Sequence, residues 1–398
     1  MKNIIFNKID LVILAGGRGT RIKNFLGKYP KPLIKFNSKH FIQYILNKAS
    51  KYNFKRIIIL CGYRHKFFFN KYHNRIINFN KIICLKEKKL LGTAGALKNL
   101  KNLNVKNFVL MNGDTILDID LKLLISNLEK DKIGSIALVK NINQKSKKLN
   151  NLILKKNIIH TRASSSMMNG GVYYFKKKIF HYIKSNSSLE NDLLPKLIKS
   201  KKINGKYFNN FFIDIGSKYY LKKGETELKK YFKRPAVFLD RDGVINYDYG
   251  YVHKEQNFKF KKGVLKGLKY LIRKNYYIFI ITNQAGIGHG IYSENEFIKF
   301  HKKIKAKLQK LNIYFDDVQY SPFHPEAKIK KYKKNSLMRK PGNQMIENVK
   351  SNWDLQLKKT FMIGDKLSDK IAAKKSNIKF YYANDNFFVL VKKIINNY

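Results

Sequence analysis

The sequence has few cysteines, few acidic residues and no long apolar run. Cys61 and Cys84 are its two cysteines in 398 residues, so neither a disulfide framework nor a four-cysteine zinc site can form. No apolar segment is long enough to span a bilayer. The first eight residues have too short an apolar part for a signal peptide. We therefore expect a cytoplasmic protein that makes no membrane contact.

The shortage of acidic residues leaves a strong positive charge. The chain has 26 Asp and Glu against 82 Lys and Arg, a formal net charge of +56 at pH 7. Such a charge can indicate nucleic-acid binding. The lysines, however, are spread evenly and accompany abundant Asn and Ile, as an AT-rich genome imposes on any protein. The densest run, 328–334, has one interleaved aromatic residue and no stacking platform. We expect no specific nucleic-acid partner, although weak, salt-sensitive association is expected of so basic a chain.

The length of the chain exceeds what one hydrophobic core usually supports, so two domains are expected. A short basic stretch, 229–235, separates them, and we place the domains at 1–232 and 233–398. Apolar strand-like runs alternate with helical segments in both halves. This alternation predicts an α/β fold with two doubly wound, Rossmann-like domains.

An Asp-x-Asp pair opens the second half. Asp240 and Asp242 follow a short apolar strand, 236–239, and open α/β sheets bind ligands at the carboxyl ends of their strands. Two carboxylates this close raise each other's proton affinity unless a cation lies between them. The pair suits Mg²⁺-dependent phosphoryl transfer, with one carboxylate as nucleophile and the other as acid/base. The alternative is a solvated Asp-x-Asp turn.

Three further polar groups follow in the second half. A hydroxyl and an amide end the strand at 277–281, two cations lie before a proline, and a pair of carboxylates follows the strand at 361–363. In order, these residues are Thr282, Asn283, Arg339, Lys340, Asp365 and Asp369. The four-part order resembles the haloacid-dehalogenase-type phosphatases over residues 234–398. The local sequence is similar to the heptose bisphosphate phosphatase and histidinol-phosphatase branch.

This resemblance implies a role for each of these residues. Asp240 would form an aspartyl-phosphate, and Asp242 would protonate the leaving alcohol and then activate water. Thr282 and Lys340 would hold the phosphoryl oxygens. The Mg²⁺ ligands would be Asp240, the backbone carbonyl of Asp242 and Asp365, with support from Asp369, and the substrate contacts would be Asn283 and Arg339.

The second half departs from that branch at its zinc loop. The positions of the four usual ligands hold Ser321, Phe323, Ser336 and Met338, none of which is an expected zinc ligand. His324 cannot make a site alone, and we interpret it as a surface histidine. We expect no structural zinc. The lysine run in this loop is then a candidate contact for an anionic substrate.

The first half opens with a glycine-rich loop after a buried strand, 11–15. Its glycines let backbone N–H groups approach phosphate oxygens, and two side chains add donors. The loop is residues 16–21, and its candidate phosphate contacts are Gly16, Gly17, Gly19, Thr20 and Arg21. Its spacing is neither a dinucleotide fingerprint nor a Walker A loop. Lys31, between two prolines, could place its ammonium on a phosphate, or could be a surface lysine in a proline turn.

Other motifs follow in the first half. One motif is a run of small residues, against whose backbone a flat ring could lie. These residues are Gly92, Thr93, Ala94 and Gly95. Asp114 and Asp214 are carboxylates at strand ends. Gly171 lies in a strand that begins with glycines, and Glu190 lies in the acidic first turn of a helix. Together these motifs resemble the sugar-phosphate nucleotidyltransferase family over residues 9–230, closest to the heptose 1-phosphate and mannose-1-phosphate guanylyltransferase branch.

The second resemblance also implies residue roles. The glycine-rich loop would wrap the NTP phosphates, Lys31 would contact the reacting phosphates, and residues 92–95 would border the base. Gly171 and Glu190 would touch the sugar, and Asp114 and Asp214 would hold Mg²⁺. With Arg21 and Lys31, that ion would neutralise and align two anionic reactants without a covalent intermediate. A degenerate, non-catalytic copy of the fold is the alternative.

The resemblances of the two halves support one hypothesis. The phosphatase half would remove the 7-phosphate of heptose 1,7-bisphosphate, and the other half would transfer a nucleotidyl group, with GTP favoured, to the heptose 1-phosphate. The alternatives are a mannose-1-phosphate or other sugar-1-phosphate nucleotidyltransferase fused to a histidinol-phosphatase-like enzyme, a basic nucleic-acid-binding protein, and a chain with one inactive domain. The sequence leaves the base and the oligomeric state open.

Overall fold

The computed structural model describes residues 4–17, 19, 27, 29–87, 89, 91–141, 152–161, 166–216 and 218–398. The chain divides into two compact units. The first unit comprises Met1–Lys48 and Phe54–Glu227, and the second comprises Ala49–Asn53 and Leu228–Tyr398. None of the helices in the described ranges is long and apolar enough to cross a membrane.

The strands of the first unit are β1 (Ile9–Leu14), β2 (Lys35–Phe36), β3 (Lys39–His40), β4 (Ile57–Cys61), β5 (Ile76–Ile77), β6 (Asn80–Lys86), β7 (Asn107–Asn112), β8 (Thr115–Leu117), β9 (Gly134–Lys140), β10 (Leu152–Lys155), β11 (Ile158–Thr161), β12 (Met167–Lys176), β13 (Ile203–Tyr207) and β14 (Phe212–Asp214). Its helices are α1 (Phe41–Ser50), α2 (Lys66–Tyr72), α3 (Gly92–Gly95), α4 (Leu121–Ser126), α5 (Leu194–Lys199) and α6 (Lys218–Phe232). The last residues of α1 and α6 belong to the second unit.

A ten-stranded sheet forms the centre of the first unit, in the order β10-β11-β13-β9-β12-β7-β1-β4-β6-β5. The four strands β7, β1, β4 and β6 are mutually parallel. Because β1 and β4 are buried on both faces, their sequences are nearly continuous apolar runs. Strand β12 is antiparallel to both of its neighbours, β7 and β9, so the sheet is mixed. The α/β prediction is confirmed, with an antiparallel portion that the sequence pattern did not indicate.

The second unit contains β15 (Ala236–Leu239), β16 (Tyr277–Asn283), β17 (Asp317–Ser321), β18 (Phe361–Gly364) and β19 (Lys379–Tyr382). Its helices are α7 (Val264–Arg273), α8 (Ala285–Gly288), α9 (Glu294–Lys310), α10 (Gln344–Asn352), α11 (Leu367–Lys375) and α12 (Phe387–Asn396). All five strands are parallel, in the order β17-β16-β15-β18-β19.

The strand order of the second unit positions its site. The first strand, β15, lies at the centre of the sheet, and the chain winds to one side through β16 and β17 and to the other through β18 and β19. The direction therefore reverses between β15 and β18, where a doubly wound sheet opens a crevice at the carboxyl ends of its strands. Asp240 follows β15 and Asp365 follows β18, so both carboxylates emerge at that crevice. The doubly wound prediction for this half is confirmed.

Candidate active sites

A cavity of about 410 Å³ lies at the carboxyl ends of the parallel strands in the first unit. Eight residues that the sequence singled out line it: Gly16, Gly17, Gly19, Lys31, Gly92, Thr93, Asp114 and Glu190. The other lining residues are Leu14, Ala15, Pro32, Glu87, Ala96, Asn112, Ser188, Leu189 and Gly216. The fold thus brings together motifs separated by more than a hundred positions. Thr20 and Arg21, also predicted for this site, lie outside the described residues.

Lys31 lies between two carboxylates at this cavity. Its side chain is 8% exposed, and its Nζ is 2.5 Å from Asp114 Oδ2 and 3.9 Å from Asp214 Oδ1. The short pairing of β8 with β14 sets Asp214 opposite Thr115, which brings the two aspartates together. The Gly216 backbone N–H donates to Asp214 Oδ1 over 2.7 Å and fixes that carboxylate.

The carboxylates of Asp114 and Asp214 are suited to bind a metal ion. Both already converge on one cation, the Lys31 ammonium. Carboxylate oxygens are the ligands that Mg²⁺ prefers, and the ion is usually bound through one or two of them together with substrate phosphates. Asp114 and Asp214 therefore fit a Mg²⁺ site in their chemistry and their proximity.

The turn at residues 92–95 packs against the segment that carries Glu190. Gly92 has φ +77°, and a Cβ there would overlap the backbone carbonyl of Ser187. The backbone N–H groups of Ala94 and Gly95 donate to that same carbonyl, and Leu189 N–H donates to Thr93 Oγ1 over 2.7 Å. Close backbone packing therefore accounts for the small residues in this turn. Gly92 and Thr93 line the cavity, whereas Ala94 and Gly95 are buried and are not among its lining residues.

Gly171 and Glu190 take different places. Gly171, with φ +71°, is not among the lining residues of the cavity. It lies beside the cavity, because a Cβ added to it would be 3.2 Å from Nδ2 of Asn112, a lining residue, and 3.2 Å from Thr115. Glu190 lines the cavity from a π-helical turn, Leu189–Leu193. Ser188 caps that turn by accepting a hydrogen bond from the Asn191 N–H, as a serine before an acidic turn is expected to do.

Sequence reasoning missed Glu87 in this cavity. Glu87 follows β6, in which buried positions mostly alternate with more exposed ones and two lysines flank the apolar run 82–85. We did not predict a strand there. A strand-end carboxylate was the signal that identified Asp114 and Asp240, and it would have identified Glu87 had β6 been predicted.

In the second unit, Lys340 joins Asp240, which follows β15, and Asp369, which lies in the first turn of α11. Its Nζ is 2.8 Å from Asp240 Oδ1 and 2.5 Å from Asp369 Oδ1, and it donates to the Ile281 carbonyl over 2.9 Å. All three charged side chains are buried. Burial raises the pKa of Asp240 to about 7, against the opposing effect of Lys340. Burial alone would lower the pKa of Lys340, but the two carboxylates raise it above its ordinary value.

Asp242 is held by a fixed set of donors. The Arg241 guanidinium donates to both of its oxygens over 2.7–3.1 Å, and the Asn246 and Gln284 amides add bonds of 2.9 and 3.2 Å. Arg241 is itself 2% exposed. The His301 Nε2 lies 3.0 Å from Arg241 Nη1. Burial and the adjacent guanidinium lower the pKa of His301 well below its ordinary value, so the imidazole is neutral and accepts this bond.

The carboxylates of the second unit also suit a metal ion. One oxygen each of Asp240, Asp365 and Asp369 lies within 4.8 Å of the others. Asp365 Oδ1 is buried, and it has no hydrogen-bond partner among the described residues. Gly243, with φ +82°, allows this approach because a Cβ there would overlap the Asp365 carboxylate. A buried carboxylate oxygen with spare acceptor capacity beside two others fits a hard divalent cation.

A cavity of about 560 Å³ adjoins these carboxylates. Its lining includes the predicted residues Asp240, Asp242, Thr282, Asn283, Arg339 and Lys340, and also Gln284, His289, Tyr292, His324, Lys366 and Ser368, which we did not predict. The amide of Asn283 exchanges two 3.0 Å bonds with the backbone of Lys340. Asn283 therefore positions the lysine as well as facing the cavity.

His324 differs from our interpretation of it as a plain surface histidine. It lines the cavity, and its ring lies 4.9 Å from that of His289. The loop that carries it is held by Glu294, whose two carboxylate oxygens accept from Tyr320 and Tyr332 over 2.7 and 3.0 Å. Phe323, at one of the four zinc-ligand positions, packs its ring against that of Tyr332 at 6.1 Å. Side-chain packing and hydrogen bonds thus support this loop.

Each half of the chain matches a different family of known proteins. The nucleotidyl transferase family matches residues 11–230, and the polynucleotide kinase 3 phosphatase family matches residues 239–394. A D-glycero-beta-D-manno-heptose-1,7-bisphosphate 7-phosphatase from Rhodopseudomonas palustris is 36% identical over 164 residues, which are 41% of this chain and 91% of that protein. The protein of that name from Photorhabdus laumondii is 40% identical over 139 residues, 35% of this chain and 74% of that protein.

Among solved structures, HddC from Yersinia pseudotuberculosis, complexed with GMP-PN, is 27% identical in sequence. The match covers 55% of this chain and 99% of that chain, with a TM-score of 0.46.

Proposed function

Because the chain belongs to the nucleotidyl transferase family through its first half and to the heptose-1,7-bisphosphate 7-phosphatase family through its second, we propose that it makes a GDP-heptose in two steps. The second half, which we take as the domain 233–398, hydrolyses the 7-phosphate of D-glycero-D-manno-heptose 1,7-bisphosphate. The first half, the domain 1–232, then transfers GMP from GTP to the heptose 1-phosphate. The observation that carries the proposal is the 36% identity with a 7-phosphatase over 91% of its length, in a chain that also holds a nucleotidyl transferase domain.

In the hydrolytic step, a carboxylate oxygen of Asp240 bonds to the phosphorus as the bond from phosphorus to the sugar oxygen breaks. Asp242 gives that oxygen its proton, so the alcohol leaves neutral. Asp242 then takes a proton from water, which attacks the aspartyl-phosphate, releases inorganic phosphate and restores Asp240. Lys340, 2.8 Å from Asp240, and Thr282 hold the phosphoryl oxygens.

In the transfer step, an oxygen of the sugar 1-phosphate attacks the α-phosphorus of GTP in line, and pyrophosphate leaves. Both reactants are anions, so the site must align them and offset their charge. Lys31 supplies a cation at the cavity, and the glycine-rich loop supplies backbone donors to the phosphates.

Both steps are proposed to use Mg²⁺. Asp240, Asp365 and the backbone carbonyl of Asp242 would hold it in the phosphatase site, and Asp114 and Asp214 would hold it in the other site. An ion held at either site would supply positive charge that offsets the charge of the phosphoryl groups. The partners are small sugar phosphates and GTP, with no specific nucleic acid, in the cytoplasm.

The two activities are compatible because they act on different phosphates. A phosphatase that attacked the anomeric phosphate would destroy the substrate of the transferase. One that removes the phosphate at the other end of the sugar produces that substrate. The proposal therefore fixes the order as hydrolysis first and nucleotidyl transfer second.

The test is phosphate release by the purified chain from the α and β anomers of heptose 1,7-bisphosphate with Mg²⁺, followed by addition of GTP. Release from the α anomer and formation of GDP-heptose on adding GTP would support the proposal. Asp240→Asn should abolish phosphate release while leaving transfer to added heptose 1-phosphate, and Asp114→Asn should do the reverse. Hydrolysis of histidinol phosphate and neither anomer, or transfer to mannose 1-phosphate alone, would refute the heptose assignment.

A further inference from the structure

His301 is a buried histidine of the second unit that takes no part in the steps above. It lies on the buried face of α9, together with Phe297 and Phe300, and is 5% exposed. A capping box between Ser293 and Glu296 fixes the first turn of this helix. A buried polar group is unfavourable unless it has a hydrogen-bond partner. The partner of its Nε2 is the guanidinium of Arg241.

Arg241 lies between Asp240 and Asp242 in the chain and is enclosed by the protein. It is 2% exposed, and the centre of its guanidinium lies 5.8 and 5.7 Å from the rings of Phe297 and Phe300. Aromatic faces attract a guanidinium, but they do not satisfy its five N–H donors. The orientation of this group is therefore set by the acceptors around its edge.

These acceptors lie on different sides of the guanidinium. Nε and Nη2 donate to both carboxylate oxygens of Asp242 over 2.7–3.1 Å, and Nη2 also donates to the Val252 carbonyl over 2.7 Å. Nη1 lies 3.0 Å from His301 Nε2. The guanidinium is planar and rigid, so the bond to His301 at one nitrogen also fixes the direction of the other two.

The imidazole of His301 is suited to accept this bond. Burial and the adjacent guanidinium lower its pKa well below the ordinary value, so the ring is neutral and its Nε2 accepts. Without that acceptor, the Nη1–H groups of Arg241 would be buried with no partner on that side, which is unfavourable. A rotation that brought them to another acceptor would also move the two nitrogens that hold Asp242.

We infer that His301 is a positioning residue for hydrolysis, which fixes the Arg241 guanidinium and, through it, the carboxylate of Asp242 at the cavity. The inference rests on the proposed function, in which Asp242 protonates the leaving alcohol. Asp242 lines the cavity, and its side chain is 16% exposed. Proton transfer requires an oxygen within hydrogen-bond reach of the reacting group, and a misplacement of about 1 Å costs roughly 10²-fold in rate.

The test compares two substitutions of His301 on two phosphate esters with Mg²⁺. His301→Leu has a similar volume and no acceptor, whereas His301→Gln places an amide oxygen near the position of Nε2. Heptose 1,7-bisphosphate loses an alcohol that must be protonated as it leaves, whereas 4-nitrophenyl phosphate loses a phenolate that needs no proton. The kcat/KM value reports the steps up to the departure of the leaving group.

In His301→Leu, kcat/KM for the bisphosphate should fall by roughly 10- to 100-fold, chiefly through kcat, because a transition-state contact is lost. The value for 4-nitrophenyl phosphate should change by less than about three-fold, since that ester does not need the acid. His301→Gln should keep both values within about three-fold of the wild type, because the acceptor is retained.

Two further variants separate this role from a loss of stability. Ile304→Ala removes an apolar side chain that is 3% exposed on the same face of α9. It should lower the melting temperature and leave the ratio of the two kcat/KM values unchanged. Arg241→Lys keeps a cation but cannot hold both oxygens of Asp242 as a fork. It should show the same selective loss as His301→Leu, and it keeps His301 in place should the leucine variant not fold.

Equal losses on the two esters in His301→Leu and Arg241→Lys would overturn the inference and leave His301 as a packing residue. Full activity of His301→Leu on the bisphosphate, or a glutamine variant as impaired as the leucine variant, would overturn it too. If the wild type hydrolyses histidinol phosphate and not the bisphosphate, the heptose assignment is refuted. Histidinol phosphate, also an alkyl ester, then replaces the bisphosphate in the comparison, so the two conclusions fail separately. A wild type that releases phosphate from none of the three esters would refute both.

Discussion

Replacing Gly243 by alanine is expected to impair hydrolysis far more than it lowers stability. Gly243 has φ +82°, and an added Cβ would overlap Asp365 Oδ2, with the carboxyl carbon at 2.5 Å. Any residue other than glycine in the left-handed region costs roughly 1–2 kcal/mol. For a domain of this size, a loss of 1 kcal/mol lowers the melting temperature by about 2–4 °C.

The larger effect comes from the collision. A carbon atom needs about 3.4 Å from its neighbour for an ordinary contact, so Asp365 must retreat by about 1 Å. Misplacing a group in an active site by that distance costs about 10²-fold in rate. We therefore expect kcat/KM for phosphate release to fall about 10²-fold and the Mg²⁺ concentration for half-maximal activity to rise. Nucleotidyl transfer by the other domain should not change.

Gly290→Ala provides the matched control. Gly290 has φ +74°, but its nearest contact to an added Cβ is 3.9 Å from Ile329. It should lose about the same 1–2 kcal/mol of stability while keeping phosphate release within about two-fold of wild type. Phosphate release across a Mg²⁺ titration and a thermal melt of each variant would decide the matter. If the two variants lose activity equally, or if Gly243→Ala is fully active, the assignment of Asp365 to the metal site is refuted.

Four further predictions concern other parts of the molecule. Lys340→Met should abolish phosphate release and lower the unfolding free energy by roughly 3–5 kcal/mol, because it leaves Asp240 buried without its cation; activity within ten-fold of wild type would contradict this role. Glu294→Gln should weaken the loop through Tyr332, costing about 1–3 kcal/mol of stability in a denaturant titration and raising KM more than it lowers kcat, whereas a fall in kcat alone would contradict this. EDTA should stop both activities until Mg²⁺ is restored. A zinc-selective chelator should leave phosphate release unchanged, and zinc found by metal analysis of the purified chain would contradict the expectation that it has no structural zinc. Lys31→Met should stop nucleotide-sugar formation at unchanged phosphate release, and parallel loss of both would point to misfolding.

The local sequence pattern was enough to predict many of the candidate residues of both sites. Asp114 and Asp240 follow strands that are apolar over four or more residues, so the strand and the carboxylate at its end are visible together. The strongly apolar strand β15 carries the Asp-x-Asp pair, and its position predicts the crevice of a doubly wound sheet.

The partners of these carboxylates needed the tertiary structure. Asp114 and Asp214 are a hundred positions apart, and the register of β8 with β14 brings them onto Lys31. Neither the pairing of Lys340 with Asp369 nor its distances could be predicted from spacing.

The sequence by itself determined the fold class, the strand ends that carry the candidate carboxylates Asp114 and Asp240, and the absence of the four usual zinc ligands. It could do so because an apolar run or a residue type is a local property. The tertiary structure alone decided that Glu87 lines the cavity of the first unit, that Ala94 and Gly95 do not, and that Glu294 holds the loop beside the cavity of the second unit. Each of these depends on which distant backbone segments pack together. That choice is made by burial and register across the whole unit, and no short stretch of sequence contains it.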